Sequence, residues 1–231
     1  MKEIDKKITV CMSVYNRESC VSECVKSVLH QTYPYFNFKI VDDGSTDTTF
    51  DILNQTSKVD KRVKLFKNNH NFYDSLNKSL DYEADLCIRM DSDDLMGENC
   101  IKNLLNAYNN AKADVYFFNV LHLPIKENCI ISSKEAIEMF KKYNFVFNPS
   151  SMINMHFIKD KNIKYRKKFE VISNYDFWIQ IAKNNGTFYC IDDNNEGYNL
   201  KYRAFYCNPI GDNASLHKEG EKEFNLIKNM I

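Results

Sequence analysis

The stretch Cys87-Ile88-Arg89-Met90-Asp91-Ser92-Asp93-Asp94-Leu95 decides how this chain is read. It begins as a short apolar run of the kind that forms a buried strand and ends in three carboxylates packed into four residues. Carboxylates that close repel one another unless a cation or a set of donors compensates them. Carboxylate oxygens spaced by a short polar residue suit a hard cation such as magnesium or manganese, which keeps positions open for phosphate oxygens. The plain alternative is an acidic turn that caps the following helix.

Upstream, strand and helix patterns trade places. Ile8 to Val14 reads as a strand that ends in the loop Tyr15-Asn16-Arg17, and from Ser19 to His30 the residues Cys20, Cys24, Val25, Val28 and Leu29 recur at helical spacing until Tyr33-Pro34. Phe38 to Val41 predicts a second strand, running into Asp42-Asp43-Gly44-Ser45-Thr46-Asp47, where Gly44 permits a tight turn and Ser45, Thr46 or Asp47 can cap the next helix. A strand at Val63 to Phe66, a helix from Phe72 to Leu80 and the opening run complete the series. Such alternation predicts an α/β fold with a mostly parallel sheet flanked by helices. In such sheets ligands bind beyond the carboxyl ends of the strands, so the acidic loops at Asp42 and Asp91 are expected to share one crevice.

Downstream, a helix from Asn99 to Asn110 leads to a strand over Val115 to Val120, and Ser132-Ser133-Lys134-Glu135 has the spacing of a capping box. Beyond Asn148-Pro149 the order is less regular, with a strand at Ser151 to Asn154, a helix at Tyr175 to Lys183, a strand at Phe188 to Ile191 and a terminal helix from Lys218 to Met230. Trp178 and Phe177 at helical spacing are expected to be core.

Composition narrows the function. Lysine plus arginine and aspartate plus glutamate both number 31, so no net field argues for nucleic acid or an anionic membrane. The five arginines, Arg17, Arg62, Arg89, Arg166 and Arg203, stand out because a planar fork holds phosphate as lysine cannot. The eight cysteines form no C-x-x-C pair, which argues against zinc and for reduced, buried thiols. A polar start without a signal peptide and the lack of a bilayer-length apolar run predict a cytoplasmic protein. A calcium hand needs glycine sixth and glutamate twelfth from Asp91, where Met96 and Lys102 stand. Tyr15-Asn16-Arg17 has no dinucleotide glycines, and no G-x-S-x-G occurs.

The chain resembles the family 2 inverting glycosyltransferases of GT-A fold. The resemblance is carried by Ser13-Val14-Tyr15-Asn16-Arg17, Ser27-Val28-Leu29-His30-Gln31-Thr32-Tyr33, Val41 to Asp47, Leu76-Asn77 and Arg89 to Asp94 in the family's order, and more weakly by Tyr175-Asp176-Phe177-Trp178 and Tyr202-Arg203. It implies one domain over 1–231, with a nucleotide-sugar half at 1–120 and a smaller, irregular acceptor half at 121–231. It implies that Ser13, Tyr15 and Asp43 line the base and ribose pocket with Asp42 beside them, and that Arg89, present before the motif in a subgroup of the family, belongs to the nucleotide-sugar site. It implies further that Asp91 faces ribose or metal, and that Asp93 and Asp94 place Mn2+ or Mg2+ on the diphosphate. A UDP-sugar donor and a glycan or lipid-linked oligosaccharide acceptor follow from the same resemblance, with surface polysaccharide as the product. No nucleic acid is expected, and a lipid-linked acceptor would bring the enzyme to the inner face of the membrane.

Inverting transfer needs a base for the acceptor hydroxyl's proton. The family's aspartate four residues before the tryptophan is Asn174 here, and a neutral amide takes no proton. Asp176 is the nearest carboxylate and Glu170 the next, although Asp176 also matches a position that only braces the helix. Asn174 motivates an alternative, a nucleotide-sugar-binding protein without turnover. A nucleotidyltransferase would need a glycine-rich basic loop after the first strand, which is lacking.

Overall fold

The computed structural model describes residues 5–119, 123–149, 151–169 and 172–192, together with 222, 225 and 226. Glu170, Tyr202-Arg203 and most of the terminal helix expected from Lys218 to Met230 lie outside the described residues.

The alternation expected upstream is present as β1 (Ile8–Val14), α1 (Val21–Leu29), β2 (Asn37–Asp42), α2 (Thr49–Val59), β3 (Val63–Lys67), α3 (Phe72–Ser79) and β4 (Leu86–Asp91). It continues through α4 (Cys100–Asn110), β5 (Val115–Phe118), β6 (Cys129–Ile131), α5 (Ser133–Phe140), β7 (Met152–Asn154), α6 (Met155–Asp160), α7 (Ser173–Lys183) and β8 (Phe188–Ile191). All eight strands form one sheet in the order β3-β2-β1-β4-β7-β5-β8-β6. β1 to β5 and β8 share one direction, whereas β7 and β6 run against their neighbours. The sheet is thus mostly parallel, with β7 inserted between β4 and β5.

Strand periodicity divides the core. Val10, Met12, Ile88 and Met90 face α1, α2 and α4, while Cys11, Cys87, Phe117 and Ile153 face α3, α5, α6 and α7. Each fully buried aliphatic or aromatic side chain contributes roughly 1.5–3 kcal/mol, so both faces hold the sheet rigid beneath its loops. Trp178 and Phe177 are fully buried in the second layer, as core residues should be. Cys20 and Cys24 are buried and form no disulfide.

The capping box forms as expected. The Ser132 hydroxyl accepts from the Glu135 amide at 3.3 Å, and the Ser132 amide donates to Glu135 Oε2 at 2.8 Å. Ser132→Ala is expected to cost about 1 kcal/mol. That corresponds to roughly 2–4 °C in the melting temperature, measurable by calorimetry; an unchanged midpoint would show that the cap contributes nothing.

Candidate active site

β1, β2 and β4 lie side by side and end together, with Ser13 opposite Asp91 and Val14 opposite Asp42. The two loops that follow β1 and β2 are zipped to each other. The Asn16 amide donates to Ser45 Oγ at 3.0 Å, the Thr46 amide to Asn16 Oδ1 at 2.8 Å, the Arg17 amide to Thr49 Oγ1 at 2.7 Å and the Thr48 amide to Glu18 Oε2 at 3.0 Å. Asp47 Oδ1 accepts from the Thr49 amide at 2.9 Å, just ahead of α2, whose N-cap is Thr48 without a side-chain cap bond rather than Ser45, Thr46 or Asp47. Gly44 sits at φ +77°, and a Cβ there would meet the His70 amide at 3.1 Å, so the turn lies directly on the 68–70 loop.

Asp42 is the last residue of β2 and Asp43 the first beyond it, and the two carboxylates have different partners. Asp43 Oδ1 accepts from Ser75 Oγ at 2.6 Å, the Asn71 amide at 2.7 Å and Asn68 Nδ2 at 3.2 Å. Its Oδ2 has His70 Nδ1 at 3.7 Å, and the half-exposed Tyr15 ring lies 4.3 Å from the His70 ring. Tyr15 and Asp43 thus both lie against His70, while Ser13 sits near the end of β1 opposite Asp91. Asp42 does not join them. It is fully buried, its Oδ2 accepts from the Ser45 amide at 3.1 Å, and its role is to brace the turn.

Arg89 also departs from the expected pocket. It shares a strand face with Asp91 but lies one pleat deeper, 1% exposed, with Nη1 donating to Ser79 Oγ at 2.9 Å and its guanidinium over the Tyr165 ring. Tyr165 is itself pinned by Asn77, whose Nδ2 donates to its carbonyl at 3.0 Å and whose Oδ1 accepts from its amide at 2.9 Å. Arg89 is thus a buried cation behind the site.

Asp91 Oδ1 accepts from Asn148 Nδ2 at 2.7 Å. Burial of its carboxyl pushes the pKa up to about 6, with Arg89 pulling it down and Asp93 adding repulsion. Asp93 keeps 21% of its side chain exposed and has Arg17 Nε at 3.6 Å, whereas Asp94 is 2% exposed. Only Asp93 of that pair presents its carboxylate to the opening. The acidic loop is tethered from behind by α1 and its tail: Ser27 Oγ accepts from the Met96 amide at 2.9 Å, and Gln31 bonds the Gly97 carbonyl at 2.6 Å and the Ile101 amide at 3.0 Å.

Among the described residues no three His, Cys, Asp or Glu side chains converge as a metal cage. The donor set nevertheless fits a hard cation. Asp91 offers a buried carboxyl with Asn148 on Oδ1, and Asp93 offers oxygens whose ion-pair contact is the long one to Arg17. Magnesium and manganese complete such partial sets with water and phosphate.

Asp176 is corrected as a base. It is fully buried; Arg166 Nε donates to its Oδ2 at 2.9 Å, Arg166 Nη2 holds its Oδ1, and Gln180 Nε2 donates to Oδ2 at 2.9 Å. A carboxylate clamped on both oxygens cannot reach an acceptor hydroxyl, and its place is to brace α7 against the 164–166 segment. Sequence reading missed Asn68, Ser75, His70 and Asn148. The signal for Asn148 was faint: a residue before proline is held extended, which fixes where its amide points.

A hollow of about 920 Å3 lies between β6 and α5, lined by Ile125, Ile130, Met139 and Tyr143 among others. β6 begins beside the carboxyl end of β8, so Cys129 of the lining lies toward the edge of the sheet where β4 also ends, four strands away from it.

A model of the family described as Glycosyl transferase family 2 matches residues 9–172. An uncharacterized glycosyltransferase of Haemophilus influenzae is 25% identical over 194 residues, covering 76% of this chain and 60% of that protein. A poly(ribitol-phosphate) beta-glucosyltransferase of Bacillus spizizenii is 22% identical over 77% of this chain and 32% of its own length. The chain therefore spans less than two thirds of these relatives. Among solved structures, S. aureus TarS 1-349 in complex with UDP-GlcNAc superposes with a TM-score of 0.65 at 18% identity, covering 81% of this chain and 56% of that one. A Pyrobaculum calidifontis mannosyltransferase in complex with GDP-Man and Mn2+ gives 0.59 at 12% identity, covering 81% and 55%. The likeness to both establishes the GT-A-type fold.

Proposed function

Because the chain belongs to glycosyl transferase family 2, we propose that it moves a sugar, with inversion, from a nucleotide diphosphate donor to a glycan or lipid-linked acceptor in surface polysaccharide synthesis. The observation that carries this reading is the division of labour at Asp43. Three donors fix its Oδ1 and leave Oδ2 beside the Tyr15 and His70 rings, where a base can stack. A carboxylate oxygen accepts from a ring N–H. Uracil and guanine carry one on the edge they would present, and cytosine does not, so a UDP-sugar is the first donor to test and a GDP-sugar the second. The named ligands of the two solved neighbours support the same pair of bases.

Asp93, with Asp91 beside it, would hold Mn2+ or Mg2+ against the diphosphate; the ion supplies Lewis-acid stabilisation of the charge gathering on the leaving group. Ser13 and Asp91 orient the ribose. The acceptor hydroxyl attacks the anomeric carbon from the side opposite the diphosphate, the bond to the diphosphate oxygen breaks, and configuration inverts. Its proton must go to a base other than Asp176, and Glu170 is the next carboxylate in sequence to test by substitution.

One domain with a donor half at 1–120 and an acceptor half at 121–231 suits this division, with the hollow beside α5 on the acceptor side. Among the described residues no helix is long and apolar enough to cross a membrane. A cytoplasmic enzyme that meets a lipid-linked acceptor at the inner face remains our proposal.

A thermal-shift panel of UDP, GDP and CDP with and without Mn2+ tests the reading. A bound nucleotide at about 100 times its Kd adds roughly 2.7 kcal/mol and raises the melting point by several degrees. A Mn2+-dependent shift for UDP or GDP is expected. A shift for CDP alone, or none, overturns the donor assignment; a shift without sugar transfer to any acceptor favours the binding-only protein suggested by Asn174.

A further inference from the structure

Arg17 stands at the opening in an unusual state. Its Nε is buried without a hydrogen-bond partner, 3.6 Å from Asp93 Oδ2, a distance that gives charge contact but no hydrogen bond. Its Nη1 donates at 3.1 Å to the Asn16 carbonyl and at 3.4 Å to the Tyr15 carbonyl, within its own loop. Of the other described arginines, Arg62 is held by Asp60 and Arg166 by Asp176, and Arg89, whose Nε also lacks a hydrogen-bond partner, is 1% exposed in the interior. Arg17 is thus the described arginine with an unmatched donor that keeps part of its side chain exposed. A charged donor left unmatched costs free energy that an arriving anion recovers.

We propose that Arg17 is a diphosphate-binding residue, which screens Asp93 while no metal ion is there and turns to the donor's diphosphate when one arrives. A divalent cation on Asp93 repels the guanidinium from its side, and a planar fork fits two phosphate oxygens at once. The movement needs only side-chain rotation. The backbone at residue 17 is fixed separately, with its amide on Thr49 Oγ1 at 2.7 Å and its carbonyl accepting from the Cys20 and Val21 amides at 3.0 and 2.8 Å. This inference rests on the nucleotide-sugar reading above and deepens it by assigning the β-phosphate contact to a residue of this chain.

The comparison of nucleoside diphosphate with monophosphate isolates that contact. Calorimetric titrations of UDP, UMP, GDP and GMP with Mn2+ would be run on the unmodified chain, Arg17→Met and Arg17→Lys, with Mn2+ alone as a separate titration. Arg17→Met should lose roughly tenfold or more in affinity for the diphosphate that binds, and little for its monophosphate. The same variant should bind Mn2+ alone several-fold more tightly, because Asp93 is no longer screened, a change that a structural role for Arg17 would not produce. Arg17→Lys keeps the charge without the fork and should fall between the two; it carries the test if Arg17→Met does not fold. Equal losses for diphosphate and monophosphate, or none, overturn the role of Arg17 alone. Failure of the unmodified chain to bind any of the four nucleotides overturns this role together with the donor assignment.

Discussion

Asp93→Asn is expected to abolish the Mn2+-dependent part of nucleotide binding, a loss of about 100-fold or more in affinity, while the chain melts where it did before. The first half follows from ligand chemistry: a neutral amide is a poor substitute for a carboxylate on a hard cation, and the ion's stabilisation of phosphate charge is worth several kcal/mol. The second half follows from position, since Asp93 lies at the rim and its ion-pair contact is the long one to Arg17. Such exposed or half-exposed pairs contribute little to stability. Asp94→Asn is the matched control. Asp94 is 2% exposed, so its replacement should be felt in the melting curve more than in the metal dependence. Titrations of UDP and GDP with Mn2+ against EDTA measure both variants, and a Mn2+ dependence that survives Asp93→Asn would remove the metal from this residue.

Arg166→Met is expected to destabilise the chain by about 3 kcal/mol, the low end for breaking a buried pair because Arg166 keeps 41% of its side chain exposed. Among the described residues the variant leaves Asp176 with Gln180 as its remaining side-chain donor in a fully buried place. For a chain of this size the loss reads as a melting point lower by roughly 6–12 °C. Asp176→Asn should cost less, since it leaves no bare charge inside and Arg166 can turn to water. Combining the two changes should recover part of the loss, as happens when both members of a contact are removed. Transfer assays on the folded fraction of Asp176→Asn decide its other role. A protein that melts normally but loses transfer by about a thousandfold or more would restore Asp176 as the base.

The donor side was readable because its physics is local. β1 to β4 are short apolar runs, α1 to α3 repeat at helical spacing, and the loops between them carry turn residues. Side-chain partners toward the strand ends were harder to see. Asp42 and Asp43 looked like one acidic pair, yet the strand ends between them and their carboxylates take different partners, and Arg89 goes inward, where Tyr165 lies over it from a segment far along the chain. On the acceptor side the limits were length and distance. β6 has three residues, too few for a periodic signal, and α6 starts directly after β7, the strand expected at 151–154, with Asn154 as its cap. Arg166 clamps Asp176 from an irregular stretch, and no spacing rule predicts such a partner.

The placement of β7 bears on how the protein can be made. β4, which carries Asp91, finds its second neighbour only when residues 152–154 arrive, and β5 is paired through the same strand. A ribosome that has released just the first 118 residues has therefore delivered every acidic group of the donor side on a sheet whose β4 edge is bare and apolar, a ready template for pairing with another chain. Dissecting the gene at that point would give an aggregating fragment rather than a nucleotide-binding module, and expression trials should carry at least the sequence through α6.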